Sequence, residues 1–217
     1  MAGVALLAGC LVLPTQAQPS AAELDPVPHY RKGIQLLKQS RFKEAMAEQK
    51  KALELNPSYY EAKYQVALIH QVSGQLDKAA RAYGELLEVK PDYAQAHINL
   101  GTVRRMQSDL AGAEAAYRKA IDINYYLLAA HYNLANVLVE QNKLEDALKE
   151  YRACLKLDPT NAMVHNNLGV IYQKRGFLEE AAEEFERAAN LEPANKTFQE
   201  NLERLRHGAQ ISSPARY

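Results

Sequence analysis

Asparagine side chains recur along the chain at one fixed spacing. Asn99, Asn133, Asn167 and Asn201 follow one another at steps of 34 residues. A side-chain amide both donates and accepts hydrogen bonds, so a row of amides can pair with the backbone of an extended peptide without reading its side chains. The row therefore predicts a peptide-binding surface, provided that the fold places these residues side by side.

Three tyrosines and a further asparagine extend this candidate surface. Tyr30, Tyr64 and Tyr132 occupy the position just before the asparagines in the same 34-residue frame, and Asn136 follows Asn133 by three residues. Tyrosine offers rigid contact area with a polar tip, which suits an interface. We expect a partner segment with apolar anchors at the tyrosine-rich end, although tyrosines packed in a core would give the same pattern. The predicted peptide-binding residues are Asn99, Asn133, Asn136, Asn167, Asn201, Tyr30, Tyr64 and Tyr132.

Four histidines, His29, His97, His131 and His165, repeat in the same frame and invite a metal interpretation. Neighbouring copies of one position would lie about 10 Å apart, the distance between packed helices. Zinc ligands must lie about 2 Å from a single ion, so these imidazoles cannot share one. The sequence also lacks a phosphate-binding loop, a nucleophile elbow and an HExxH motif. We therefore predict no metal, no cofactor, no small-molecule substrate and no catalysis.

The elements that position these residues come from a unit of 34 residues that occurs five times, starting at residues 26, 60, 94, 128 and 162. Apolar or small residues at positions 3, 7, 8 and 10 of the unit predict a first helix, helix A, with one buried face. Helix A should end at position 15, occupied by Ser40, Gly74, Ser108, Asn142 and Gly176. A second helix, helix B, carries alanine at position 20 in every copy and ends before position 32, which is proline in all copies except the third.

The segment 162–193 carries this unit most completely, with His165, Leu168-Gly169, Tyr172, Ala181, Phe185 and Pro193 in that order. This pattern resembles the signature of tetratricopeptide repeats (TPRs). The resemblance implies an all-α, right-handed solenoid of five helix-turn-helix repeats over residues 26–207, capped by a helix at 195–207. It also implies that helix A lines the inner wall through positions 2, 5, 6, 9, 12 and 13. Asparagine at position 6 can also hold neighbouring helices in such repeats, so both roles remain open.

Two features refine this expectation. Some TPRs clamp the acidic C-terminus of chaperones with cations, but Tyr132, Thr197 and Asn201 stand where those cations should be, so this partner is not expected. In the third copy, Tyr125 replaces the proline and Gly112 lies within helix B, where glycine costs up to about 1 kcal/mol relative to alanine. We therefore predict a softer joint between the third and fourth copies.

The N-terminal residues predict export. Residues 1–17 contain no charged residue and include an apolar run from Ala2 to Leu13, which is too short for a membrane span but typical of a signal peptide ending near Ala17. Leu7-Ala8-Gly9-Cys10 also resembles a bacterial lipobox, in which Cys10 would be lipidated and tether the protein to a membrane. An uncleaved or cytosolic N-terminus is the third alternative. Residues 18–25 form a predicted linker, and residues 208–217 a predicted disordered tail.

Composition narrows the classes of partner. The chain has 26 basic and 26 acidic residues, so a nucleic-acid partner is not expected. The two cysteines cannot form a disulfide framework or a metal site. We expect a periplasmic, secreted or lipid-anchored scaffold for a peptide or partner protein, similar to small TPR lipoproteins that assist pilus or secretion-pore assembly. The alternative is a substrate-recruiting accessory of an envelope enzyme such as a glycosyltransferase.

Overall fold

The computed structural model describes residues 25–212, with side chains to residue 207. Over that range the chain forms eleven helices and no strand, as the repeat pattern predicts. The helices are α1 (Val27–Lys38), α2 (Phe42–Leu55), α3 (Tyr60–Val72), α4 (Leu76–Val89), α5 (Ala94–Met106), α6 (Leu110–Ile123), α7 (Leu128–Glu140), α8 (Leu144–Leu157), α9 (Ala162–Lys174), α10 (Leu178–Leu191) and α11 (Lys196–Ser212). None of these helices is long and apolar enough to cross a bilayer.

The helices pair as five A–B hairpins, and the residue that closes each A helix explains the turn. Position 15 adopts a left-handed backbone in all five repeats, with φ between 58° and 80°. Gly74 and Gly176 reach this region without steric cost, and Asn142 tolerates it. Ser40 and Ser108 adopt it as well, although serine is less suited to it. The predicted end of helix A is therefore confirmed in every copy.

Within each repeat, a small residue at position 8 lets helix B approach helix A. A β-carbon added to Gly101 would lie 2.7 Å from the ring of Tyr117, and one added to Gly169 would lie 2.7 Å from the ring of Phe185. Tyr117 and Phe185 both occupy position 24 of the unit. The side chain at this position thus fills the space left by the glycine of its own repeat. Its ring packs inside the repeat, and in two repeats its hydroxyl reaches the next one, as described below.

The core is built from these intra-repeat contacts and is continued between neighbouring repeats. The alanines at position 20 are fully buried in all five copies, and one buried cluster runs from Ile98 to Ile171 across repeats three to five. Cys154 belongs to this cluster, and burial raises the pKa of its thiol to about 12, which makes it an unreactive core residue. Phe198, Leu202 and Leu205 of α11 cover the last repeat, which confirms the predicted cap.

The predictions for the two ends of the chain have different outcomes. The cap helix continues to Ser212, the last described residue, so its predicted end at His207 is wrong. The predicted disordered tail is therefore also wrong for residues 208–212, where Gly208 and the loss of the apolar period had indicated the end of the helix. The signal segment 1–17, Cys10, most of the 18–25 linker and residues 213–217 lie outside the described residues.

Neither of the two residues on which the predicted softer joint was based, Gly112 and Tyr125, weakens the third copy locally. Gly112 lies in the first turn of α6, where its N–H donates to the Asp109 carboxylate at 2.9 Å. A capping bond of this kind stabilises a helix start, so Gly112 is not the helix-interior glycine that the sequence indicated. Tyr125 also leaves the turn intact, because the Asn124 side chain accepts from the Tyr126 N–H at 3.0 Å, the same bond that Asn56 and Asp158 form around Pro57 and Pro159.

Candidate peptide-binding site

The asparagine row divides into amides that join repeats and one that does not. Between the second and third repeats, the Asn99 amide nitrogen donates to the hydroxyls of Tyr64, at 2.8 Å, and Tyr83, at 3.0 Å. Tyr83 is fully buried, and its hydroxyl donates a hydrogen bond to the side-chain oxygen of Gln71 at 2.8 Å. Asn99 thus satisfies two hydroxyls of the preceding repeat. We call this arrangement an amide lock.

The same lock recurs between the fourth and fifth repeats. The Asn167 amide nitrogen lies 3.0 Å from the Tyr151 hydroxyl and 3.4 Å from that of Tyr132. Burial raises the pKa of both Tyr83 and Tyr151, so these phenols stay protonated and the locks do not titrate near neutral pH. At the cap, Asn201 donates to the Asn166 carbonyl at 2.7 Å, a simpler bond in the same register.

The junction between the third and fourth repeats lacks the lock. Ile98 stands where the first, second and fourth repeats supply a tyrosine, and the Tyr117 hydroxyl is hydrogen-bonded to Thr102 of its own repeat at 3.1 Å. Asn133 therefore finds neither of the two hydroxyls that Asn99 and Asn167 find. Its half-buried side chain makes no hydrogen bond to any described residue and faces a groove instead.

This groove, which we call the central groove, has a volume of ≈ 500 Å³ and lies between α5, α7 and α9. Four of the predicted residues line it together: Tyr132, Asn133, Asn136 and Asn167. Val139 and Val170 add apolar surface. The Asn136 carbonyl accepts from Tyr151, whereas its amide nitrogen donates to none of the described residues. The groove thus offers two amides beside an aliphatic wall.

Two charged residues of the groove escaped the sequence analysis. Arg105 of α5 and Glu140 of α7 line it and pair with each other, with 2.6 Å between Arg105 Nη2 and Glu140 Oε1. Arg105 Nε donates to the same oxygen at 2.7 Å. They occupy positions 12 and 13 of the unit, which the TPR resemblance assigns to the inner wall. Their opposite charges in adjacent repeats were the signal that could have found them.

The other predicted residues lie away from the central groove. Tyr30 packs edge-to-face on Tyr59, with ring centroids 5.2 Å apart, and Tyr64 contacts Tyr93, also at 5.2 Å. The two pairs lie in the first two repeats and are half-buried, and we refer to them together as the aromatic cluster. Burial raises the pKa of Tyr93 to about 12, so its hydroxyl stays neutral. The structure therefore separates the tyrosine-rich end from the asparagine-rich groove, as the sequence indicated.

The repeated histidines act as packing residues. His131 and His165 each contact a glutamate of helix B, with 2.6 Å from Nδ1 to Glu150 and Glu184 respectively. Their Nε2 atoms lie 2.9 and 3.1 Å from the carbonyl oxygens of Tyr125 and Pro159, in the preceding turns. Within residues 25–207, no group of three or more histidine, cysteine or acidic side chains is arranged to hold a metal ion.

Solved structures share this architecture. YrrB, described as a TPR protein with an unusual peptide-binding site, is 23% identical, with a TM-score of 0.70, and the match covers 82% of this chain and 91% of YrrB. MamA is 21% identical with a TM-score of 0.72, over 79% of this chain and 93% of MamA. PilF of Pseudomonas aeruginosa is 19% identical with a TM-score of 0.74, over 85% and 84% of the two chains. A comparison with curated proteins finds no match.

Family models cover most of the repeats. A TPR repeat model matches residues 135–176, and tetratricopeptide repeat models match residues 29–59, 64–124 and 162–195. These matches agree with the five helical hairpins and with the left-handed residue that closes each A helix. The chain belongs to the tetratricopeptide repeat family.

Proposed function

We propose that this protein is a non-catalytic scaffold that binds an extended segment of a partner protein in the central groove. One observation carries the proposal: the Asn133 amide has no partner among the described residues and faces a groove of ≈ 500 Å³. The equivalent amides of Asn99 and Asn167 are occupied by tyrosine hydroxyls. The groove is therefore the place where the repeated amide is free for another molecule.

The chemistry of the groove suits a peptide backbone. An extended segment presents N–H and C=O groups, and the Asn133 amide can pair with both kinds. The free amide nitrogen of Asn136 adds a donor on the same helix, one turn away. Val139 and Val170 offer an aliphatic surface to a side chain of the bound segment. Main-chain pairing then supplies affinity, and the apolar contact supplies orientation.

The predicted residues outside the groove extend this surface in the proposal. The aromatic cluster that contains Tyr30 and Tyr64 would contact apolar side chains further along the partner, while Asn99 and Asn201 contribute by holding the wall in shape. The description of YrrB as a peptide-binding TPR protein supports a peptide ligand for this fold. Its 23% identity to this chain supports the shared fold and carries no residue-level correspondence.

The test is selection from a random peptide library displayed on phage, using the full chain as bait. We expect enrichment of peptides on the unmodified protein and a loss of at least about tenfold in recovery on Asn133→Ala. Asn190→Ala is the matched control, because Asn190 is an exposed asparagine on α10, outside the groove. Equal recovery on the Asn133→Ala and Asn190→Ala variants would contradict the proposal.

We also propose that the protein functions in a bacterial cell envelope, on the basis of residues 1–17 alone. Mass spectrometry of the mature N-terminus distinguishes the alternatives: a chain starting at Gln18 indicates simple export, and a lipidated Cys10 indicates a membrane tether. In the second case Cys10→Ser releases the protein from the membrane fraction. An N-terminus that starts at Met1 in the cytosolic fraction would contradict the envelope proposal.

A further inference from the structure

The central groove contains two charged residues, and each serves as the counterion of the other. Arg105 and Glu140 are 43% and 37% exposed and contact one another across α5 and α7. The remaining groove residues are asparagines, tyrosines and aliphatic side chains. The lining therefore carries no net charge, and each charged group already has a counterion of opposite sign.

We infer that this pair determines the charge of the segment that the groove accepts, and that the segment is an uncharged stretch of extended peptide. The inference rests on the proposed function and names the partner's chemistry. A charged peptide side chain would have to displace Arg105 or Glu140 from its partner or enter the groove without a counterion. Both routes are unfavourable, because a charge moved out of water needs a partner of opposite sign. Neutral backbone amides, in contrast, pair with Asn133 and leave the ion pair intact.

The pair also predicts how the preference can be changed. Glu140→Gln removes the counterion of Arg105 and leaves a guanidinium free to bind a carboxylate, so the groove should accept acidic peptides. Arg105→Gln frees the Glu140 carboxylate and should favour basic peptides. The double variant Arg105→Gln/Glu140→Gln has no charge in the lining and should again prefer uncharged peptides. Both side chains are exposed enough that these substitutions leave the fold intact, which circular dichroism checks.

The experiment selects random octapeptides displayed on phage against the full chain and these three variants. For the unmodified protein we expect peptides depleted in Asp, Glu, Lys and Arg, with recovery unchanged between about 0.05 and 0.5 M NaCl because no charge is shared with the ligand. The ratio of acidic to basic peptides should rise about tenfold for Glu140→Gln and fall about tenfold for Arg105→Gln.

Each outcome decides between the inference and the function on which it rests. Enrichment of charged peptides on the unmodified protein, lost on Asn133→Ala, would overturn the charge preference and leave groove binding standing. Single variants that keep the original charge composition would likewise overturn the role of the pair. Recovery that is equal on the unmodified protein and on Asn133→Ala would overturn the proposed function, and the inference with it.

Discussion

Three of the four junctions between repeats carry the asparagine of position 6, and they use it in two different ways. Between repeats two and three, and between four and five, the amide is enclosed by tyrosine hydroxyls. Between repeats three and four it faces the groove, because Ile98 replaces the tyrosine. Two departures from the repeat pattern, Ile98 and Thr102, thus change a structural group into a candidate binding group. The repeated residues form the inner wall of the A helices. Positions that depart from the repeat pattern show where this wall can differ in function.

The largest predicted difference between the junctions concerns stability. Asn167→Ala leaves the hydroxyls of Tyr151 and Tyr132 without the amide, and Tyr151 is 2% exposed. The Tyr151 hydroxyl keeps its bond to the Asn136 carbonyl, so the loss is that of the hydrogen bonds made by the amide, about 0.5–1.5 kcal/mol each. We therefore expect urea denaturation to show a loss of about 2 kcal/mol for Asn167→Ala and less than about 0.5 kcal/mol for Asn133→Ala. We call the junctions with the amide lock locked and the junction between repeats three and four open. Equal losses for the two variants would remove this distinction.

Two substitutions should convert the open junction into a locked one. Ile98→Tyr/Thr102→Leu reproduces the residues of the second repeat, where Tyr64 and Leu68 precede the locked Asn99. The new tyrosine and the released Tyr117 hydroxyl would enclose Asn133 and raise the free energy of unfolding by about 1 kcal/mol. The same change should abolish recovery of selected peptides.

A matched control separates that effect from a general change in packing. The double variant with Asn133→Ala added lacks the amide that would complete the lock, so its gain in stability should disappear. Stability that rises equally with and without Asn133 would show that the new tyrosine acts through packing alone.

The loss of folding stability at acid pH should come from contacts within a repeat. It should leave the stability difference between locked and open junctions unchanged. The His29 and Lys32 side chains lower the pKa of Glu48 to about 2, so its charged form stabilises the folded state. That contribution is present above the ordinary pKa near 4.5 and is lost as the pH falls from there towards 2. Denaturation curves across this range should therefore fall less steeply for Glu48→Gln. A parallel fall for both proteins would contradict the assignment.

The smallest predicted effect is a difference in hydrogen exchange at the open junction. Because this junction lacks the amide lock, amides in residues 108–126 should exchange faster than those of the other B helices. The continuous buried cluster across this junction limits the difference to a modest one. Amide exchange measured by mass spectrometry tests it, and uniform rates along all five B helices would count against a softer joint.

Much of the fold can be predicted from the spacing of residues along the chain, because it depends on interactions within a single repeat. Position 15 must close a helix, and the residues found there predict its left-handed backbone. The buried glycines at position 8 likewise follow from the need for close helix contact. The continuation of α11 through residues 208–212 could not be predicted, because these residues have no apolar period and begin with a glycine, which usually follows the end of a helix.

The candidate site was less predictable, because it depends on contacts between different repeats. The sequence places Asn99, Asn133 and Asn167 in one row but does not show which amides already have partners. That outcome depends on whether position 5 of the preceding repeat is a tyrosine, as at Tyr64, or an aliphatic residue, as at Ile98. The ion pair between Arg105 and Glu140 requires the same knowledge of neighbouring repeats.

NMR of the asparagine side-chain amides tests most directly whether the open junction binds the peptide. In ¹H–¹⁵N spectra, the NH₂ resonances of Asn99, Asn133 and Asn167 can each be assigned by single substitution. When a selected octapeptide is added, we predict that the Asn133 signals shift with saturation while those of Asn99 remain unchanged. Shifts at Asn99 with an unmoved Asn133 would contradict the claim that the open junction is the binding site.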